Sequence, residues 1–326
     1  MSSFENPTWT KPRDTGAPMP LALGTMNFGK RTPETDAARI VDRALDLGIT
    51  LFDTANVYNA GESERILGRA LRGKRDRALI ATKVGFDRVD GRQEGLSPEA
   101  IRRAVEGSLS RLGTDHVELY YLHVPDPKTP IEASLDTMTE LVREGKIGAI
   151  GVSNYASWQV LEMFQHQARA SAPRPVLAQQ IYNLLIRQLD VEYLAFAAKY
   201  RLHTTVYNPL AGGLLTGRFA PGADVAKGSR FDGNKLYLGR YWSPRMLELA
   251  KTYGEVAAEL GCSSVELAYA WLVARPGVDS ILVGPGTVEH LDAAAVAITI
   301  EIPEAAMKKI DDVHRAFIGT ETKYAR

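Results

Sequence analysis

Short apolar runs rich in Val, Ile, Leu, Phe and Tyr alternate along this chain with longer stretches whose apolar residues recur at helical spacing. The runs are LALGTMNF, ITLFDTA, ALIATKV, VELYYLHV, AIGVSN, LAQQIYN, TTVYNPL and SILVG, the first starting at Leu21 and the last ending at Gly284. Each has strand length, and each is followed by polar or turn-forming residues. Between them the spacing predicts helices over 34–48, 62–72, 98–112, 131–145, 157–170, 190–200 and 245–260. The segment SPEAIRRAVEGSLSRLG carries its own punctuation: Ser97 as N-cap, Pro98 at the first helical position and Gly113 as the stop.

Strand and helix alternating eight times predict a closed parallel (β/α)8 TIM barrel in a single domain, 1–326, because an open doubly wound sheet needs fewer strands. No G-x-G-x-x-G stands between the first strand and the first helix, so a dinucleotide would be held by means other than a Rossmann turn. The longest irregular stretch, 211–242, is rich in Gly and Arg and follows the seventh strand. Its length marks it as functional. Neither internal repeat, low-complexity tract nor interdomain linker is visible.

Composition narrows the function classes. The 326 residues are 45% apolar, with 39 Lys+Arg against 39 Asp+Glu, so no general field attracts nucleic acid or an anionic membrane. Cys262 is the one cysteine, excluding an internal disulfide, and it falls in a helical region where it reads as a small apolar group. No apolar stretch approaches the roughly 20 residues needed to span a bilayer, and MSSFENPTWTKPRD does not read as a signal peptide. The expectation is a soluble cytoplasmic protein. No His, Cys, Asp or Glu cluster has metal-ligand spacing, so none of the chemistry is expected to be metallic; His116, His166, His203 and His314 stand without companions.

In a (β/α)8 barrel the active site lies at the C-terminal ends of the strands. Asp53 and Tyr58 follow the second strand, Lys83 ends the third and His123 the fourth. Ser153 and Asn154 end the fifth, Gln179 lies in the sixth, and Tyr207 with Asn208 ends the seventh. These groups are expected at one mouth. A lysine near a tyrosine stabilises the phenolate and lowers the phenol pKa, and an aspartate holds the ammonium charged. A histidine beside them orients a carbonyl oxygen. Such a set protonates an oxygen that is becoming an alkoxide but supplies no hydride, so it requires a cofactor.

The segments FDTANVY, ATKVG, YLHVPDP, GVSNY and YNPLAGGLLTG resemble, in order and spacing, the aldo-keto reductase superfamily over nearly the whole chain. LHVPDPKTPIEASL, YNLLIRQLDVE, GRYW and the ending KYAR are similar to its aflatoxin-aldehyde and succinic-semialdehyde reductase group. The resemblance implies Tyr58 as general acid, supported by Asp53, Lys83 and His123, with NADPH bound in extended form. Ser153, Asn154 and Gln179 would hold the nicotinamide carboxamide, and Tyr207 would stack on its ring. Asn208, Pro209, Leu210, Gly212, Leu214 and Gly217, with Arg218, would wrap the pyrophosphate. Arg230 would reach the nucleotide from the long insertion and Gly284 would line its adenosine end. Tyr237, Arg240 and the terminal Arg326 match positions that meet a substrate carboxylate, beside His123, which implies an ordered C-terminal tail. The likeness also suggests a homodimer, by analogy.

The segment VGPGTVEHLDAAAVA departs from that family's pattern. Gly286, His290 and Ala294 stand where polar or basic side chains are usual, so NADH remains open beside NADPH, with His290 as a substitute phosphate partner. Two alternatives to a carboxylate-aldehyde reductase stay open: a reductase of a sugar or natural-product ketone, and a nucleotide-sensing regulatory subunit on the same scaffold.

Overall fold

The computed structural model describes residues 21–89, 91–320 and 322. Its barrel strands are β1 (Leu21–Gly24), β2 (Leu51–Asp53), β3 (Leu79–Val84), β4 (Val117–Leu122), β5 (Ile147–Ser153), β6 (Leu177–Ile181), β7 (His203–Tyr207) and β8 (Ser280–Val283). All neighbours pair in parallel, and β1 closes on β8. Each strand overlaps one of the eight apolar runs, β5 starting two residues and β7 one residue ahead of theirs. The chain is a (β/α)8 barrel.

The helices are α1 (Glu34–Asp46), α2 (Glu62–Ala70), α3 (Pro98–Leu112), α4 (Ile131–Arg143), α5 (Ser157–Arg169), α6 (Tyr193–Tyr200), α7 (Lys235–Tyr241), α8 (Pro244–Glu259), α9 (Ser264–Val273), α10 (Val288–Ala297) and α11 (Glu304–Ile318). The expected caps form on α3: Ser97 accepts from the Ala100 amide at 3.3 Å, and Gly113 ends the helix at φ 68°. Helices α2 and α3 cross so closely at Gly68 that a Cβ there would stand 2.3 Å from the Leu112 carbonyl oxygen. Among the described residues no single helix is long and apolar enough to cross a membrane.

Two sequence expectations need correction. The stretch 211–242 is not wholly irregular: it holds 3-10 turns at Ala211–Thr216 and the helix α7, capped where the Asn234 side chain accepts from the Tyr237 amide. Its Gly and Arg content hid an aromatic cluster, in which Phe231 lies 4.8 Å from Trp242 and 5.7 Å from Phe219, ring to ring. That cluster supplies the apolar contact a short helix needs. Cys262, expected in a helix, sits in the turn between α8 and α9, where Gly261 at φ 70° breaks the helical path.

Ala81, Leu119, Tyr121, Ala149 and Leu177 from the strands, with Val176 just ahead of β6, form a small second core cluster. The larger core lies between the strands and the ring of helices. The smaller cluster is the floor of the site, and the loops leaving the strands are its walls.

Candidate active site

Asp53 ends β2, and its carboxylate is buried in the barrel. One oxygen, Oδ1, accepts from Lys83 Nζ; the other, Oδ2, accepts from Gln179 Nε2 at 2.8 Å. Lys83 Nζ also donates to the Thr54 carbonyl at 2.6 Å. Lys83 is wholly enclosed, and its ammonium lies 5.1 Å from the centre of the Tyr58 ring and 5.4 Å from that of Tyr121. Burial penalises both charges of the pair, pushing the Asp53 carboxyl up and the Lys83 ammonium down, while their contact opposes both shifts.

Tyr58 reaches the same point from the loop after β2. Its phenol is pushed well above the ordinary value, by burial first and then by the Asp53 carboxylate. The sequence expectation of a lowered phenol pKa is therefore corrected: the Lys83 charge is paired with Asp53, and withdrawal from water outweighs it. The consequence favours an acid, since Tyr58 keeps its proton at neutral pH.

His123 follows β4, with its ring 6.1 Å from that of Tyr58 and nearly perpendicular to it. Burial, then the Lys83 charge, holds its pKa well below the usual imidazole value. It is neutral at pH 7. Phe86, 46% exposed, lies 5.3 Å from the imidazole. The loop carrying Phe86 is fastened by Glu94, which accepts from Asn56 Nδ2 at 3.0 Å and from the Gly85 amide at 2.8 Å.

A polar chain continues around the mouth. Ser153 Oγ donates to the Gln179 carbonyl at 2.9 Å. Asn154, at φ 64°, donates to the His123 carbonyl at 2.9 Å and to Ser153 Oγ at 3.0 Å. Its Oδ1 accepts from the Tyr207 hydroxyl at 2.7 Å. Asn208, at φ 59°, accepts from the Tyr237 hydroxyl at 3.0 Å, and Arg230 and Arg240 lie 5.4 and 6.0 Å from the Tyr237 ring centre.

Beyond Pro209 and Leu210 the chain turns sharply, with Ala211, Gly212, Gly213 and Gly217 all at positive φ. Leu214 anchors this turn in the core, Arg218 is exposed, and a Cβ at Gly213 would meet only Phe219 at 3.9 Å. Arg230 donates to Asn27 Oδ1 at 2.6 Å, and Asn27 Nδ2 donates to the Gly284 carbonyl at 3.2 Å. Asn27 thus joins the loops after β1, β7 and β8. His290 Nδ1 accepts from the Gly286 amide at 3.3 Å, and Arg43, on α1, is paired with Asp292 at 2.6 Å.

The donor set fits an extended nicotinamide dinucleotide: a glycine turn at positive φ, the buried and unpaired Asn208 Nδ2 and the Arg230 guanidinium all belong to the loops after β7. Arg326 and the C-terminal tail lie outside the described residues. Thr54, Phe86, Asn27 and Tyr121 also belong to the site, and sequence reasoning passed over them. Phe86 carried a signal, its place just past the end of β3. Tyr121 read as an ordinary strand residue.

The aldo/keto reductase family profile matches residues 20–315. An uncharacterized oxidoreductase of Bacillus subtilis is 37% identical, over 90% of this chain and 91% of its own length. The aflatoxin B1 aldehyde reductase member 2 of Homo sapiens is 35% identical, over 83% of this chain and 79% of its own. A probable voltage-gated potassium channel subunit beta of Oryza sativa subsp. japonica is 31% identical, over 79% of this chain and 80% of its own.

Proposed function

The chain belongs to the aldo/keto reductase family, and from that premise we propose that it reduces small aldehydes, including those with a distal carboxylate, to alcohols with NADPH and Tyr58 as general acid. One observation carries this reading: the Tyr58 ring lies 6.1 Å from the His123 ring and 5.1 Å from the Lys83 ammonium of the buried Asp53–Lys83 pair.

The nicotinamide, when bound, supplies the hydride. Ser153, Asn154 and Gln179 would hold its carboxamide, Tyr207 would face its ring, and the turn from Asn208 to Gly217 with Arg218, Arg230 and Gly284 would hold the rest. His123, being neutral, donates a hydrogen bond to the carbonyl oxygen without adding charge. Tyr58 then protonates that oxygen as it becomes an alkoxide, a far stronger base than the phenolate left behind. Lys83 stands close enough to its ring to stabilise that phenolate. Arg240, 6.0 Å from the Tyr237 ring centre, would meet a substrate carboxylate.

The first experiment follows the NAD(P)H absorbance band with succinic semialdehyde and benzaldehyde, NADPH and NADH in parallel, and Tyr58→Phe beside the wild type. Tyr58-dependent oxidation of the reduced cofactor is the expected result. Cofactor that quenches protein fluorescence yet is never consumed would instead favour a nucleotide-sensing regulatory subunit on the same scaffold.

A further inference from the structure

We propose that Tyr121 is a positioning residue for carbonyl reduction, its ring forming a second aromatic wall that holds the Lys83 ammonium in register with Tyr58. This inference rests on the reductase reading above.

The strand pairing sets the arrangement. Lys83 on β3 is the register partner of Tyr121 on β4, so their side chains leave the same face of the barrel wall as nearest cross-strand neighbours. Tyr121 in turn pairs with Gly151 on β5. A Cβ at 151 would stand 2.6 Å from Cδ1 and 2.7 Å from Cε1 of the Tyr121 ring. Glycine there gives the ring its room.

The ammonium then has partners on four sides. Asp53 and the Thr54 carbonyl each accept one of its three N–H groups, and the rings of Tyr58 and Tyr121 face it from 5.1 and 5.4 Å. An aromatic face attracts a cation most where water is excluded, and both Lys83 and Tyr121 are fully enclosed. The other titratable groups acting on this charge are His123 at the end of β4, Tyr58 itself and Glu64 on α2. Each has another fixed role or anchor: Glu64 accepts from Thr82 Oγ1 at 2.6 Å and from Arg111 Nε at 2.6 Å.

The test compares wild type, Tyr58→Phe, Tyr121→Phe and Tyr121→Leu by steady-state NADPH oxidation across pH, with thermal unfolding and NADPH fluorescence quenching on each. Tyr121→Phe keeps the ring and is expected to rescue the alkaline limb, with a kcat well above that of Tyr121→Leu. Tyr121→Leu is expected to lower kcat about tenfold with KM nearly unchanged, equivalent to about one pKa unit of lost stabilisation. Its alkaline limb moves to lower pH, because Lys83 gives up its proton sooner, while NADPH quenching is unchanged. If Tyr121→Leu fails to fold, phenylalanine at 121 bearing increasing numbers of ring fluorines preserves the shape and weakens the ring face; kcat should fall in step.

A flat fluorine series, or a Tyr121→Leu enzyme whose kcat and pH profile match the wild type, overturns the proposal. So do equal losses in Tyr121→Phe and Tyr121→Leu, which would implicate the hydroxyl. A wild type without Tyr58-dependent turnover overturns the reductase reading, and this inference with it.

Discussion

Gln179 and Asp53 are 126 residues apart in the chain, yet Gln179 Nε2 donates to Asp53 Oδ2 at 2.8 Å inside the barrel. The bond fixes the carboxylate oxygen that Lys83 does not hold. It also ties β6, from which a carboxamide contact is proposed, to the acid–lysine pair on β2 and β3.

Gln179→Leu should therefore do more than weaken cofactor binding. Leaving a buried acceptor unsatisfied costs about 1–3 kcal/mol, so the urea midpoint should fall by that equivalent even without cofactor. Gln179→Glu should cost more, since two carboxylates would meet. An unchanged midpoint in apo Gln179→Leu would show that the bond contributes nothing.

The Arg230–Asn27 bond closes the loop after β7 over the loops after β1 and β8. Asn27→Ala is expected to raise the NADPH dissociation constant about tenfold, or ~1.4 kcal/mol, with little change in kcat. Fluorescence titration of Asn27→Ala, Arg230→Ala and the double variant should give losses that fail to add, because the two share one contact. Strict additivity would refute the latch.

Gly68→Ala should destabilise the protein. In an exposed helix interior this change gains about 1 kcal/mol. Here the new methyl would stand 2.3 Å from the Leu112 carbonyl oxygen and force α2 from α3, a strain of about 1–3 kcal/mol. Thermal unfolding decides the sign, and a raised midpoint would contradict the close crossing.

Acid should weaken the fold through histidines withdrawn from water, His314 in part and His123 almost wholly. On α11, burial first and then Arg187 push His314 down to about 4 from an ordinary 6.5. The folded chain keeps it neutral while the unfolded chain protonates it, so stability falls as pH drops from about 6.5 towards about 4 and the penalty saturates below that. His123 acts in the same direction. Comparing urea midpoints at pH 7 and 4.5, His314→Gln should lose less stability than the wild type; parallel slopes would exclude His314 as a source.

The barrel was legible because both its periods are written locally. Runs such as ALIATKV and AIGVSN have the length and β-branching of buried strands, and SPEAIRRAVEGSLSRLG names its own ends. The polar residues of the mouth were legible for a related reason: Asp53, Lys83, His123, Asn154 and Tyr207 all stand at or just past strand ends, the one place in this architecture where loops converge. Helix α7 was hidden because its stability comes from Phe219, Phe231 and Trp242 rather than from propensity. Tyr121 was hidden because a core tyrosine and a tyrosine against an ammonium look identical in a strand.

By itself the sequence determined the eightfold succession of strands, the caps of α3, and which polar groups stand at the strand ends, since these follow from residue type and near-neighbour spacing. Only the tertiary structure decided what those groups do to one another. Closure of the barrel set the register of Lys83 against Tyr121 and brought Gln179 to Asp53. Exclusion of water then raised the Tyr58 phenol despite the nearby lysine. Charge interactions depend on separation in space and on solvent, and the linear spacing of residues encodes neither.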